Sequence, residues 1–111
     1  MESYELGTPF VSLNGATAND TAGDGVAIAP RPGRGFTRDY AYEIVPTPGD
    51  TVTVAFEASI DGGQNYAEVD RTSNVTARTL SFVGAVASNA VRLRLITSVN
   101  TAPTTGRILA S

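Results

Sequence analysis

The clearest hydrophobic pattern in the chain is a strict alternation of apolar and polar positions between residues 51 and 60. The apolar positions are Val52, Val54, Phe56, Ala58 and Ile60. A period of two is typical of a strand with one buried face. Asp61-Gly62-Gly63 follows at once, and glycine tolerates the positive φ that tight turns require. Because the alternation resumes over 65–69, residues 51–69 are predicted to form a β-hairpin.

Further short strands are predicted along the chain, separated by segments rich in Gly, Pro, Asn and Asp. They are 9–13, 25–29, 36–44, 76–82, 91–96 and 106–110. Residues 85–89 fit either a short helical turn or a loop. About eight strands with no long helix are typical of an all-β, antiparallel β-sandwich, with jelly-roll topology as one option.

The inward phase of these strands predicts the hydrophobic core. Its predicted members are Val52, Val54, Phe56, Ile60, Leu80, Phe82, Val91, Leu93 and Leu95. Residues 25–111 are predicted to be a single β-sandwich domain, large enough to be stable without cross-links. Residues 1–24, which are rich in Gly, Ala, Asn and Thr, are predicted to be an extended N-terminal arm or loop.

The composition argues against catalysis. The chain has no His and no Cys, and all eight of its basic residues are arginine. Without His, the commonest general base is missing, so no serine or threonine has an activating partner. No inward-facing carboxylate pair of the kind used in glycoside hydrolysis stands out. We therefore expect a protein that is not an enzyme and that needs no cofactor and no metal.

The net charge, the start of the chain and the length of its apolar stretches limit the partners and locations that we expect. A net charge of −3 disfavours direct nucleic-acid binding, which needs a basic patch. The acidic start of the chain does not resemble a signal peptide, and no apolar stretch is long enough to span a bilayer. We expect a protein that is made and used without export or membrane insertion.

Two groups of acidic residues are candidates for ligand binding. Ser59-Ile-Asp61-Gly-Gly63-Gln-Asn-Tyr66 approximates the Asp-box of sialidase-like propellers, where the motif stabilises a turn. We interpret the single copy as a turn in which Asp61 caps its own backbone, with sugar or calcium binding as the alternative. Asp20 and Asp24 are the other local acidic group, either a solvated loop or part of an oxygen-ligand calcium site.

Two groups of arginines are candidates for contacts with carboxylates. Arg31, Arg34 and Arg38 lie in a Pro/Gly-rich segment, either as a solvated loop or as charge-assisted contacts to a partner. Arg92 and Arg94 lie two apart on the outer side of one strand. We expect them to pair across strands with a carboxylate, and the candidates are Glu57 and Glu68.

Two segments carry a resemblance to a known class of proteins. Val54-Ala-Phe56-Glu57-Ala-Ser59-Ile-Asp61-Gly62-Gly63-Gln-Asn-Tyr66 and Val91-Arg92-Leu93-Arg94-Leu95 resemble the small β-sandwich structural proteins of tailed bacteriophages. Within that class, the resemblance is closest to capsid decoration (cement) proteins. It covers under half of the chain, and similar strands occur in carbohydrate-binding modules.

The resemblance implies a virion structural protein that is made in the host cytoplasm and lies on the capsid surface. It would stabilise the head by bridging major capsid subunits, as a homotrimer at threefold or quasi-threefold positions. The alternatives are a carbohydrate-binding-type module and a phage tail or head-completion component. The predicted partner contacts lie in residues 1–24, the arginine loop 30–38 and one edge of the sandwich. The individual candidates are Tyr4, Phe10, Arg31, Arg34 and Arg38.

Overall fold

The computed structural model describes residues 8–110, and their regular structure is entirely extended. The strands are β1 Phe10–Ala16, β2 Thr21–Ala22, β3 Val26–Ala27, β4 Thr37–Val45, β5 Val52–Ser59, β6 Ala67–Val75, β7 Thr79–Ala87, β8 Ala90–Ser98 and β9 Thr104–Ala110. The described part of the chain has no helix with the length and hydrophobicity needed to span a membrane.

The strands form two antiparallel sheets with a jelly-roll order. Sheet I has the order β1-β9-β4-β7, and sheet II has the order β2-β8-β5-β6, with β3 also on β8. Thr21 of β2 lies opposite Leu95, and Val26 of β3 lies opposite Val91, so β2 and β3 act as one interrupted strand. The chain crosses between the sheets at every connection except the β5–β6 hairpin. Two sheets with these orders are a jelly roll, so the predicted fold class is confirmed.

The core lies between the two sheets and is centred on stacked aromatic rings. The ring of Tyr42 on β4 lies 5.6 Å from that of Phe56 on β5, and Tyr40 lies 5.1 Å from Phe56. Six of the predicted core side chains are completely buried, namely Val52, Val54, Phe56, Val91, Leu93 and Leu95. The prediction from alternation is therefore confirmed for β5 and β8.

Three of the predicted core residues are wrong, because Ile60, Leu80 and Phe82 are 82%, 48% and 77% exposed. Ile60 lies just beyond the end of β5. On β7 the phase is the reverse of the prediction, so that Leu80 and Phe82 project outward and Ser81 between them projects inward. The segment 85–87, predicted as a helical turn or a loop, belongs to the same strand.

A polar network occupies the interior where the reversed phase of β7 places hydroxyl groups. Ser81 of β7 and Thr72 of β6 share a hydrogen bond of 2.7 Å across the two sheets. The hydroxyl of Tyr42 donates to Asp70 at 2.7 Å and lies 2.8 Å from the Thr72 hydroxyl. Since these groups satisfy one another, the interior accepts polar side chains at this edge of the sandwich.

The predicted N-terminal arm is wrong for the residues that the structure describes, while residues 1–7 lie outside them. Residues 10–16 form β1, which pairs with β9, and Leu13 is buried in the core. The Ser12 hydroxyl accepts the backbone N–H of Leu93 at 2.8 Å and donates to the Asp24 carbonyl at 2.8 Å. The strand predicted at 9–13 is therefore present as β1, but it belongs to the sandwich and not to an arm.

The connections between strands lie at two ends of the sandwich. The arginine-loop end comprises the connections 28–36, 60–66 and 88–89, and the opposite end comprises 17–20, 46–51, 76–78 and 99–103. The arginine-loop end contains two of the five partner-binding residues predicted from sequence, Arg31 and Arg34. Phe36, predicted as the first residue of the strand 36–44, lies in this end, just before β4, and is 43% exposed.

Candidate protein-binding surfaces

The turn that resembles an Asp-box uses its polar atoms internally. The Ser59 hydroxyl donates to the Asp61 carboxylate at 2.6 Å, and Asn65 donates to the same carboxylate through its backbone N–H at 2.9 Å and its side-chain amide at 2.8 Å. These hydrogen bonds, with that of Ser59 the strongest, lower the pKa of Asp61 to about 2. The geometry matches a carboxylate that caps its own turn.

The other acidic residues are dispersed among structural contacts. Asp20 pairs with Arg94 at 3.0 Å, and Asp70 accepts the Tyr42 hydroxyl. Buried Asp50 accepts the Ser98 hydroxyl at 2.5 Å and fixes the opposite end. Within residues 8–110, no three His, Cys, Asp or Glu side chains converge in the way that a metal site needs.

Arg38 does not have the partner-binding position that the sequence predicts. It is 5% exposed, and its guanidinium donates to the carbonyls of Ala29 at 2.6 Å and Gly35 at 3.3 Å. It therefore stabilises the arginine loop from within. Its position is explained by the alternation of β4, which directs it inward with Tyr40.

The remaining predicted contacts are divided between two parts of the molecule and the undescribed start of the chain. Arg34 is exposed and lies 3.8 Å from Asp39, while Arg31 is half-buried. Phe10 is partly buried and packs against the core. Tyr4 lies outside the described residues. The structure thus places only Arg31 and Arg34 together at an accessible surface, the arginine-loop end.

The outer face of sheet II is covered by ion pairs. Glu57 of β5 is 8% exposed and accepts Arg92 at 2.7 Å and Arg94 at 3.1 Å, both from β8. Arg92 also lies over the ring of Tyr66, 3.9 Å from its centroid. The pairing predicted for Glu57 is confirmed, whereas Glu68 pairs with Arg71 at 2.8 Å instead.

The outer face of sheet I is apolar over its centre. The β-sheet register places Ala41 of β4 between Phe82 of β7 and Leu109 of β9. Leu80 lies two residues away from Phe82 on β7, opposite Glu43. We call Ala41, Leu80, Phe82 and Leu109 the sheet-I face. Shallow depressions that border these side chains make the face uneven, with Pro9 at the margin of one of them.

A clamped carboxylate borders the sheet-I face. Glu43 is 7% exposed and accepts Arg107 of β9, whose Nε lies at 2.8 Å, and Arg78 from the β6–β7 connection. Burial alone would raise the pKa of Glu43, but the hydrogen bonds from Arg107 and Arg78 outweigh burial and lower it. One carboxylate with two guanidiniums leaves one unneutralised positive charge beside the apolar residues.

The sheet-I face was missed in the sequence because Leu80 and Phe82 were predicted to be buried. The signal that marks it is the uninterrupted sequence of uncharged residues from 79 to 87, which fits an outward-facing apolar strand as well as an inward-facing one.

Comparison of the chain with protein-family models, with curated proteins and with solved structures found no match.

Proposed function

We propose that this chain is a non-enzymatic structural protein of a virion, a capsid decoration protein whose sheet-I face contacts major capsid subunits. The observation that carries the proposal is the exposure of Leu80, Phe82 and Leu109 on one sheet, at 48%, 77% and 37%. Contiguous exposed apolar side chains are typical of interaction sites. A decoration protein needs such a contact face on a rigid framework and needs no catalytic group.

The phage resemblance of the β5–β6 hairpin and β8 supplies the virion setting of the proposal. The jelly roll is compatible with it, since viral capsid domains use this fold, but so do lectins, and a fold alone does not define a function. The chemistry of the outer surface supports a structural protein over a lectin. An apolar face with aliphatic side chains and one phenylalanine favours a protein partner, whereas sugar-binding platforms rely on exposed Trp or Tyr.

The chemistry of the sheet-I face suggests what the capsid surface that it contacts should look like. Its centre is apolar, so the capsid surface it meets should be apolar as well. Arg78 and Arg107 are 64% and 44% exposed in their side chains and share one carboxylate. A carboxylate on the capsid subunit would neutralise the remaining charge through a charge-assisted hydrogen bond. The homotrimer and the threefold position expected from the resemblance stay predictions.

Co-sedimentation with capsids that lack the protein tests the proposal. The capsids are assembled from the major capsid protein encoded in the same genome. Three variants each remove one highly exposed apolar side chain: Phe82→Ser on the sheet-I face, Ile60→Ser at the arginine-loop end and Val99→Ser at the opposite end. The last two side chains are 82% and 72% exposed, so they are matched controls.

We expect the wild-type chain to saturate these capsids and Phe82→Ser to bind at least about tenfold more weakly, the effect of losing one well-packed aromatic contact. Val99→Ser should bind like the wild type. Loss of binding by Ile60→Ser alone would move the contact to the arginine-loop end. Absence of wild-type binding, or a gene neighbourhood that encodes a glycosidase in place of capsid proteins, would contradict the proposed function.

A further inference from the structure

The edge strands of the two sheets differ in how they are protected from pairing with another chain. β6, at one edge of sheet II, carries Glu68, Asp70 and Arg71, and the other edge of that sheet is the interrupted pair β2 and β3. β1, at one edge of sheet I, has two register shifts against β9. Charges, interruptions and bulges are the usual means by which proteins keep edge strands from pairing.

β7, at the remaining edge of sheet I, lacks most of these protections. Its nine residues, Thr-Leu-Ser-Phe-Val-Gly-Ala-Val-Ala, contain no charge and no proline. Its strand partner among the described residues is β4 alone, and the one register shift between them falls beyond Val83. The segment 79–83 is therefore a regular, uncharged edge, which is a template for the addition of another strand.

We propose that β7 pairs with β7 of a second copy of this chain, antiparallel and about a two-fold axis, to join the two sheets I into one continuous sheet. A two-fold axis normal to the sheet makes the added strand antiparallel, which is also the direction of the strand pairs within residues 8–110. A strand without charge can pair with itself in any register without opposing like charges. In a charged strand such as β6, by contrast, some registers of self-pairing would place like charges opposite each other.

The outward side chains support the same occupant. Leu80 and Phe82 project from β7 on the outer face, and pairing of two copies sets these residues beside their equivalents across the junction. Cross-strand pairs between aromatic and aliphatic side chains stabilise a sheet. The pairing uses the edge of β7 and leaves the outer surface of the sheet-I face open, so a capsid subunit and a second copy can bind together.

The size of the contact indicates a reversible dimer. Pairing of the five residues of the regular edge, at about 3.4 Å each, gives a junction about 17 Å long, and pairing of all nine residues of β7 would give about 30 Å. Such a contact lies at the small end of specific interfaces. We therefore expect the dimer to dissociate on dilution, and the two-fold contact differs from the trimer that the phage resemblance implies.

Sedimentation of the isolated protein, without capsids, tests the pairing separately from the proposed function. Gly84→Lys adds a charge to β7 at a position where a Cβ meets no atom within 4 Å. Thr97→Lys adds the same charge at an exposed position of β8, on the outer face of sheet II. Circular dichroism and thermal melting establish that both variants are folded.

We expect a concentration-dependent dimer for the wild type and for Thr97→Lys, and a monomer for Gly84→Lys at concentrations where the wild type is at least half dimeric. A wild type that stays monomeric, or a trimer or dimer unchanged by Gly84→Lys, would overturn the pairing. This result is independent of capsid binding, which each variant can show or lose regardless of its state in solution.

Cross-linking offers a second measurement that does not depend on Gly84→Lys. The chain has no Cys, so single substitutions Leu80→Cys, Phe82→Cys and Gly84→Cys report directly on β7. We expect oxidation to link the copies most rapidly at whichever of these residues lies closest to the two-fold axis. Val99→Cys, exposed at the opposite end, is the control. Equal linking at all four positions would contradict the pairing.

Discussion

The outer faces of the two sheets follow opposite chemistries. Sheet II is covered by three carboxylates and three arginines in contact, namely Asp20, Glu57, Glu68, Arg71, Arg92 and Arg94. Sheet I has apolar side chains over its centre and a single clamp, Glu43 with Arg78 and Arg107, in which the positive charge is in excess. Both faces are built on antiparallel strands of one jelly roll, so we attribute the difference in chemistry to the side chains.

Under the proposed function, sheet II presents its outer face to solvent and sheet I presents its outer face to a partner. Charges that neutralise one another satisfy a face without outside help, because each ion already has its counter-ion and its hydrogen bonds. Exposed Leu80 and Phe82 gain stability only when something covers them, at roughly 25 cal/mol for each Å² of apolar surface removed from water. The two faces of the jelly roll therefore differ in how far their own side chains satisfy one another.

The largest effect on stability is expected from replacing a core phenylalanine, in contrast to a surface phenylalanine. Phe56 is completely buried and Phe82 is 77% exposed. We expect Phe56→Ala to lower the free energy of unfolding by about 3–5 kcal/mol, the usual loss for a buried aromatic, and Phe82→Ala to change it by less than about 0.5 kcal/mol. Chemical denaturation of both variants checks this. A cost of several kcal/mol for Phe82→Ala would mean that β7 has the wrong phase here.

The carboxylates of Glu57 on sheet II and Glu43 on sheet I should differ in how much they contribute to stability. The side chains of Arg92 and Arg94 are 21% and 23% exposed, whereas those of Arg78 and Arg107 are 64% and 44% exposed. We expect Glu57→Gln to cost about 1.5–3 kcal/mol of unfolding free energy, typical for hydrogen bonds to charged groups. Glu43→Gln should cost about 1 kcal/mol or less because its arginines are better solvated.

Denaturation of these two variants alongside the wild type at neutral pH provides the measurement. A larger loss for Glu43→Gln than for Glu57→Gln would reverse the ranking of the two faces. In that case the clamp on sheet I, not the network on sheet II, would be the stronger stabilising element.

A smaller effect is expected at alkaline pH from the polar interior that the two faces enclose. Burial, the main cause, raises the pKa of Tyr42 to about 12. A raised pKa in the folded state stabilises the protein fully below pH 10, and that stability is lost as the pH rises toward 12. The chain has neither Lys nor Cys, so tyrosines dominate this range. Melting temperature between pH 9 and 12 should fall less steeply in Tyr42→Phe than in the wild type.

The smallest effect is expected at acid pH from the turn at the arginine-loop end. The pKa of Asp61 is lowered to about 2. A lowered pKa in the folded state gives stability that is present above pH 4 and is lost as the pH falls toward 2. Melting of Asp61→Asn should therefore depend less on pH in this window. Identical slopes for the variant and the wild type would mean that the turn is not held by the carboxylate.

The sequence predicts the parts of the fold in which alternation and burial agree. β5 and β8 alternate strictly and lie in the middle of sheet II, so both their position and their phase are correct. On β7 the apolar residues alternate just as clearly, but Leu80 and Phe82 face out. The phase depends on a polar network with Thr72 and Ser81 that forms only after the sheets come together, so periodicity alone cannot reveal it.

The candidate surfaces were predictable only where one segment contains all of the information. The self-contained turn at Asp61 and the pairing of Glu57 with Arg92 follow from short stretches or from neighbouring strands. The clamp on Glu43 does not, because Arg107 lies 64 residues away and its approach depends on the register of β9 against β4. Arg38 looked accessible within a Pro/Gly loop, and only the phase of β4 shows that it points inward.

Hydroxyl-radical footprinting of the protein, free and bound to capsids, tests most directly whether the sheet-I face is the contact surface. It measures the oxidation of individual side chains in solution. We expect the oxidation rates of Leu80, Phe82 and Leu109 to fall several-fold when the protein is bound. The rates of Tyr66 and Val69, on the sheet-II side, should stay unchanged. Protection of Tyr66 and Val69 with unchanged oxidation of Phe82 would contradict this expectation.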